Sequence, residues 1–395
     1  MFGIKRINPC DVFVALWVLY YLQGLLYPQG IINQLIQLMM ILMGLVSFAK
    51  CLTMPAPELI KATVVLVLMY VVYGTAIILF GDGIDWTADS TYLKTSFNSL
   101  LPIFFFYLQT KYGSLTEKRI KIYTVVIICC LMVFYTYFGL IFLDYLDVEE
   151  TTNNVSYMFV SLIPFVYFYY KKPVTQYVLL SVLLAYILMG MKRGAILVGA
   201  MSVIIFIYSR FREGTFRQKT AVLFLSMLIV IGAIYAVGHM LETSDYFVKR
   251  VESTLEGNSS GRDRIYSSVW NAIKDEQRIV PFLFGHGANS TIKYAGNFAH
   301  QDWLETACNN GLVGVLILLT FFLSFFKTVL KSRRVLPPHY FYCFLMLFAI
   351  CISKTMFSMS IQNFDMYQGM LIGYFAYWVS GNEILRSKQR TTSLQ

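Results

Sequence analysis

TAVLFLSMLIVIGAIYAVG, residues 220–238, carries no charged side chain. Coiled as a helix rising about 1.5 Å per residue, it is as long as a hydrocarbon core roughly 30 Å thick. A helix is also what that medium demands, because no water reaches the peptide groups and each must pair within its own segment. Working outward, similar apolar windows recur at 12–27, 31–49, 62–80, 95–110, 120–143, 155–170, 174–191, 194–209, 310–328, 339–357 and 366–384. Together they predict an all-α polytopic membrane protein of about twelve transmembrane helices. The composition of the 395 residues agrees, with 57% hydrophobic, 14% charged and a mean hydropathy of +0.61. Soluble domains carry about 25% charged residues, so a water-soluble enzyme is excluded. Disorder, collagen and coiled coil are excluded by 16% aromatic residues and the lack of a Gly-X-Y or heptad period. Nothing points to nucleic acid.

The net charge of +10 is mainly topological. With a cytoplasmic N-terminus, the inner segments hold 21 of the 32 Lys and Arg residues, from Lys5 and Arg6 through Lys118, Arg119 and Lys121 to Arg386, Lys388 and Arg390. Positive-inside bias then places both termini in the cytoplasm. Two short outer turns are acidic, one with Asp82, Asp85 and Asp89, the other with Asp144, Asp147, Glu149 and Glu150. No small-residue cleavage pattern follows the first apolar run, which reads as an uncleaved span. The seven cysteines show neither a disulfide framework nor a zinc spacing, and Cys129, Cys130, Cys343 and Cys351 lie in apolar runs as small hydrophobes.

Two features break the pattern. Lys192 and Arg193 stand in a tight outer turn where no orientation signal calls for them. Residues 239–309 then form a long polar outer loop, dividing the chain into 1–238 with spans one to nine, 239–309, and 310–395 with spans ten to twelve and a cytoplasmic tail. Loops of more than about 15 residues are usually functional or disordered. In this one, Ile265, Val269, Trp270, Ile273 and Val280 recur mostly at i+3 or i+4, which predicts an amphipathic helix stopped by Pro281 and followed by a Gly285-His286-Gly287 turn. A second helix is expected from near His300 through Trp303, Leu304 and Ala307, broken at Asn309-Asn310-Gly311.

The loop holds seven basic and nine acidic residues, so an anion site there must be a local cluster. Arg262 and Arg264 with Lys192 and Arg193 form the best one, since a guanidinium grips phosphate oxygens with a planar fork and keeps its charge. The plainer reading makes Lys192 and Arg193 interfacial anchors and pairs Arg262 and Arg264 with Asp263 and Glu256. His300 offers an imidazole suited to taking a proton from a hydroxyl near neutral pH, or else a structural hydrogen bond. Asp302 and Glu305 orient that histidine, bind sugar hydroxyls, or simply favour the positive end of a helix. His286, between two glycines, reads as a turn residue. Trp270 and Trp303 stack on sugar faces or pack as loop core. No Asp-Asp pair or His cluster calls for a divalent ion.

Four blocks stand in order: Gly190-Met191-Lys192-Arg193-Gly194-Ala195; Ser260-Gly261-Arg262 with Trp270 after it; Leu283-Phe284-Gly285-His286-Gly287; and Ala299-His300-Gln301-Asp302-Trp303-Leu304-Glu305 leading into Asn310-Gly311-Leu312-Val313-Gly314. Their order and spacing resemble the signatures of the bacterial O-antigen polymerase and ligase superfamily. The resemblance implies a GT-C-like, inverting glycosyltransferase of the bacterial inner membrane. It would act at the periplasmic face on undecaprenyl diphosphate-linked glycans of the lipopolysaccharide type, without nucleotide sugar, metal or other cofactor. It implies that Arg193 and Arg262 hold the diphosphate and that His300 activates or positions the acceptor hydroxyl. Lys192, Arg264, Asp302, Glu305, His286, Trp270 and Trp303 complete the expected substrate-binding set. Gln301 stands where the family commonly has Asn, and Lys192 where a small hydroxyl residue is frequent. The implied reaction is polymerisation, the transfer of a growing glycan onto a lipid-linked repeat unit. The alternatives are a ligase handing glycan to lipid A core and a non-enzymatic transporter or flippase. Donor and acceptor lipids, the surrounding membrane lipids and a chain-length regulator are the implied partners.

Overall fold

A computed structural model describes residues 7–26, 30–80, 86–142, 148–190, 192–243, 248, 252, 261–358, 361 and 364–392. All twelve apolar windows fall on helices: α1 (Pro9–Leu26), α2 (Ile31–Thr53), α3 (Glu58–Phe80), α4 (Trp86–Lys111), α5 (Glu117–Phe142), α6 (Val148–Leu162) with a 3-10 turn (Ile163–Tyr169), α7 (Pro173–Met189), α8 (Arg193–Glu213) and α9 (Phe216–Thr243), then α13 (Asp302–Val335), α14 (Pro338–Phe357) and α15 (Met366–Thr392). Between α9 and α13 the described residues include the short helices α10 (Arg262–Lys274), α11 (Ile279–Phe284) and α12 (Ser290–Ala295). No strand occurs among the described residues. Eight of these helices, α1, α2, α3, α5, α8, α9, α13 and α14, are long and apolar enough to cross a membrane, and residues 155–169 and 173–189 form shorter apolar helices. The chain is an all-α polytopic membrane protein.

The two remaining windows lie on α4 and α15, which pair at the centre of the bundle. Residues 366–376 of α15 are buried on every side, as are residues 99–108 of α4. Small residues set the approach, because in an apolar medium packing and close backbone contact drive helix pairing. Gly369 and Gly373 lie four apart on α15, and a Cβ on Gly373 would stand 2.6 Å from both Ile103 O and Tyr107 N of α4. Gly373→Val is therefore expected to cost about 1–3 kcal/mol or more through overpacking. A thermal unfolding midpoint unchanged from the wild type would show that the two backbones do not touch.

Three local departures from the sequence reading have simple causes. The window at 155–170 is not one α-helix: it tightens to 3-10 at Ile163, just before Pro164, which lacks an N–H. Its carbonyls find side-chain partners, Gln176 Nε2 donating to Val166 O at 3.0 Å and Cys343 Sγ to Pro164 O at 3.1 Å. The amphipathic helix stops at Lys274, not at Pro281, which sits in the first turn of α11 where its missing N–H costs nothing. Finally, the second loop helix runs on into the span at 310–328. Gly311, at φ 64° and ψ −162°, kinks α13 where the Asn-Asn-Gly break is expected.

Candidate active site

The last turn of α14 is the surface on which the site is assembled. Arg262 Nη1 donates to the Phe357 carbonyl at 3.4 Å. Gly194 lies flush against the same residue, where a Cβ would come 3.1 Å from Phe357 Cβ and 2.1 Å from the Tyr157 hydroxyl. Trp303 Nε1 donates to Thr355 Oγ1 at 3.0 Å, and Gln301 Nε2 lies 4.0 Å from Met356 Sδ. Thus the residues next to Arg193 and His300, together with Arg262 itself, meet residues 355–357 within one helical turn.

Helix polarity adds to the positive charge gathered there. Three helices start at this place, α8 at Arg193, α10 at Arg262 and α13 at Asp302. A helix start leaves N–H groups without intrahelical partners and carries a partial positive charge. Adding Lys192 and Arg193 to such an end raises the positive potential further, an arrangement suited to an anion. α14 ends here, and the Phe357 carbonyl offers Arg262 a compensating negative end.

His300 is held in a conformation that L-residues seldom adopt, at φ 53°. Left-handed backbone at a non-glycine position costs about 1–3 kcal/mol and persists only where the surroundings over-determine it. Here they do. Glu305, buried, accepts the Ala299 N–H through Oε1, takes the Thr291 hydroxyl at 2.7 Å and Asn309 Nδ2 at 3.4 Å through Oε2, and reaches the His300 backbone N–H as well. On the other side Gln301 caps α13, its Oε1 accepting from Leu304 N at 3.0 Å. Asp302, also buried, accepts from Ile361 N at 3.1 Å and ties the chain beyond α14 to the start of α13.

Residues 177–319 match the family model described as O-antigen ligase. Over that stretch, less than half of its length, the chain is similar to the O-antigen ligase and polymerase superfamily. Members of this superfamily are glycosyltransferase-like enzymes of the bacterial inner membrane. No curated protein matches the chain. The matched stretch runs from α7 into α13 and so contains Lys192, Arg193, Arg262 and His300, while the turn of α14 that receives them lies outside it.

Other residues that the superfamily resemblance singles out are placed elsewhere. Arg264 is exposed, two residues and hence about 200° around α10 from Arg262. Trp270, 59% exposed, stands on the outer surface of α10. Trp303 is core, its ring 5.9 Å from that of Phe322 and its N–H spent on Thr355. Asp302 and Glu305 turn inward to backbone N–H groups, so they shape the His300 segment from behind. His286 belongs to a second network, with Nδ1 at 3.1 Å from the Tyr294 hydroxyl and 3.8 Å from Glu276 Oε2. Arg278, which hydrogen-bonds Glu276, draws that carboxyl down to about 2, whereas burial pushes His286 below its ordinary value.

The turn around His286 has a backbone task. His286 N donates to Cys308 O at 2.9 Å and Gly287 N to Asn309 O at 3.1 Å, satisfying carbonyls that the Gly311 kink frees. Gly285 and Gly311 touch through their backbones, a Cβ on either coming within 2.4 Å of the other strand of chain. From α3, the Tyr73 hydroxyl donates to Phe284 O at 2.5 Å and lies 3.3 Å from Asn310 O.

One buried pair has no counterpart in the sequence reading. Lys354 Nζ, on α14, lies 3.4 Å from Asp365 Oδ2 and 3.3 Å from Ser161 Oγ, with the Lys354 and Asp365 side chains 4% and 9% exposed. The signal was available: an ionisable side chain inside an apolar run is a functional candidate by default. Among the described residues no group of three or more His, Cys, Asp or Glu comes together as a metal site.

Proposed function

We propose that this protein transfers a glycan from an undecaprenyl diphosphate carrier onto the non-reducing end of a second lipid-linked repeat unit, by a single inverting displacement at the outer face of the membrane. The observation that carries the reading is the seating of Arg262, Gly194 beside Arg193, and the His300 segment on residues 355–357 of one helix. The acceptor hydroxyl oxygen attacks the anomeric carbon of the donor's reducing-end sugar, and its proton passes to His300. The bond from that carbon to the phosphate oxygen breaks, and the electron pair leaves with the diphosphate. Diphosphate is already a good leaving group, so stabilising its growing charge matters more than protonating it. Arg193, Arg262 and the nearby helix starts supply that stabilisation without reorganising water. Lys192 assists by charge, and Asp302 and Glu305 by shaping the His300 segment. The opposite end of the bundle, with Arg119 bonded to Asp11 and Lys327 to Glu58, supports a cytoplasmic assignment for the basic side.

The second reading, transfer to lipid A core, is favoured by the printed description of the matching family, O-antigen ligase. Loss of the protein separates them: glycan of single-repeat length supports the polymerase, whereas long polymer retained on the lipid carrier supports the ligase. The common chemistry is tested directly with purified protein in liposomes and lipid-linked repeat units. Elongated glycan is the expected product, and failure to transfer to either acceptor overturns both readings.

A further inference from the structure

Behind the arginines lies a layer built from residues outside the matched stretch. Tyr157 of α6 is only 5% exposed, and its hydroxyl abuts Gly194, next to Arg193. The Arg262 guanidinium is close enough to act electrostatically on the same phenol. The hydroxyl thus lies beside Gly194, the neighbour of one arginine expected to bind ligand, and within electrostatic reach of the other. Below the ring, Lys354 Nζ stands 5.7 Å from the ring centroid. It is clamped by Asp365 and by Ser161, whose own hydroxyl donates to the Tyr157 carbonyl at 2.8 Å. A cation over the face of a phenol draws electron density from the ring, and so makes the hydroxyl a better donor. Asp365 balances the charge that would otherwise be stranded in a buried place.

We propose that Tyr157 is a further ligand-binding residue of this site, donating its hydroxyl hydrogen to a phosphoryl oxygen of the diphosphate held by Arg193 and Arg262, and that Lys354 is the residue that positions it. The inference rests on the reading of the site as one for a polyprenyl diphosphate. It adds a neutral donor to two cations, giving the oxygens of a diphosphate a directional partner that charge alone does not supply.

The test is equilibrium binding of a short-chain polyprenyl diphosphate, and separately of inorganic pyrophosphate, to the purified full chain in nanodiscs. Tyr157→Phe removes one oxygen and keeps the ring, so the unfolding midpoint should stay near that of the wild type. Affinity for both probes is expected to fall by roughly 10- to 100-fold, the range of a hydrogen bond to a charged group. Unchanged affinity in Tyr157→Phe, alongside weakened binding in Arg193→Ala, overturns this inference and leaves the diphosphate reading standing. Absence of binding by the wild type overturns both. Lys354→Met would strand Asp365, so it is combined with Asp365→Asn. If Lys354 acts through Tyr157, adding Tyr157→Phe to that pair produces no further loss of affinity, whereas fully additive losses would overturn the positioning role.

Discussion

Arg262→Ala and Arg193→Ala are each expected to lower glycan transfer by about 10²–10³-fold, the usual scale for removing one fixed donor from developing negative charge. The structural side of the change is small. Arg262 gives up one hydrogen bond, to the carbonyl at the end of α14, long at 3.4 Å and so at the low end of the roughly 1.5–3 kcal/mol of a bond to a charged group. Protein level in the membrane and the unfolding midpoint should therefore hold while transfer fails. Arg262→Lys keeps the charge but loses the planar fork, and is expected to recover only part of the rate. Arg264→Ala is the informative contrast. It removes the same charge from the same helix, but from an exposed position about 200° away, and should cause a far smaller loss. Equal losses at 262 and 264 would mean that general positive potential, and not a seated guanidinium, accounts for the effect. The measurement is initial transfer rate with purified variants and lipid-linked repeat units.

That contrast also shows what a sequence can disclose here. The bundle is legible because lipid imposes one rule on every span, and each apolar window falls on a helix. The glycines at 285 and 311 are legible as breaks, but that they touch each other is a fact of tertiary packing. Arg262 and Arg264 look alike in the sequence, although helical geometry already puts them on different faces. Asp302 and Glu305 are ambiguous for a physical reason: acids at a helix start are favoured whether they face ligand, solvent or backbone. Only the fold shows them turned inward. Lys354 escapes notice because its run is otherwise apolar and the mean hides a single charge. Of the partners that make Lys354 tolerable, Asp365 comes from the chain just ahead of α15, whereas Ser161 comes from α6, far away in sequence.

His300 sets the second large effect, and its backbone makes the test unusually discriminating. His300→Ala removes the proposed proton acceptor and should lower transfer by about 10²–10⁴-fold, the typical contribution of a positioned acid or base. Alanine is also poorly suited to φ 53°, so a displaced loop contributes to the loss in that variant. Asparagine tolerates left-handed backbone and glycine adopts it freely. His300→Asn and His300→Gly should therefore hold or raise stability while remaining as inactive as His300→Ala. Glu305→Gln reverses the experiment: it leaves the imidazole in place but weakens the carboxylate that collects Ala299 N–H, Thr291 and Asn309. That variant should lose stability first and transfer only in part, because the loop samples other conformations while the base survives. If His300→Gly transferred glycan at the wild-type rate, His300 would be a backbone device alone, and the proton would have to leave the acceptor by another route.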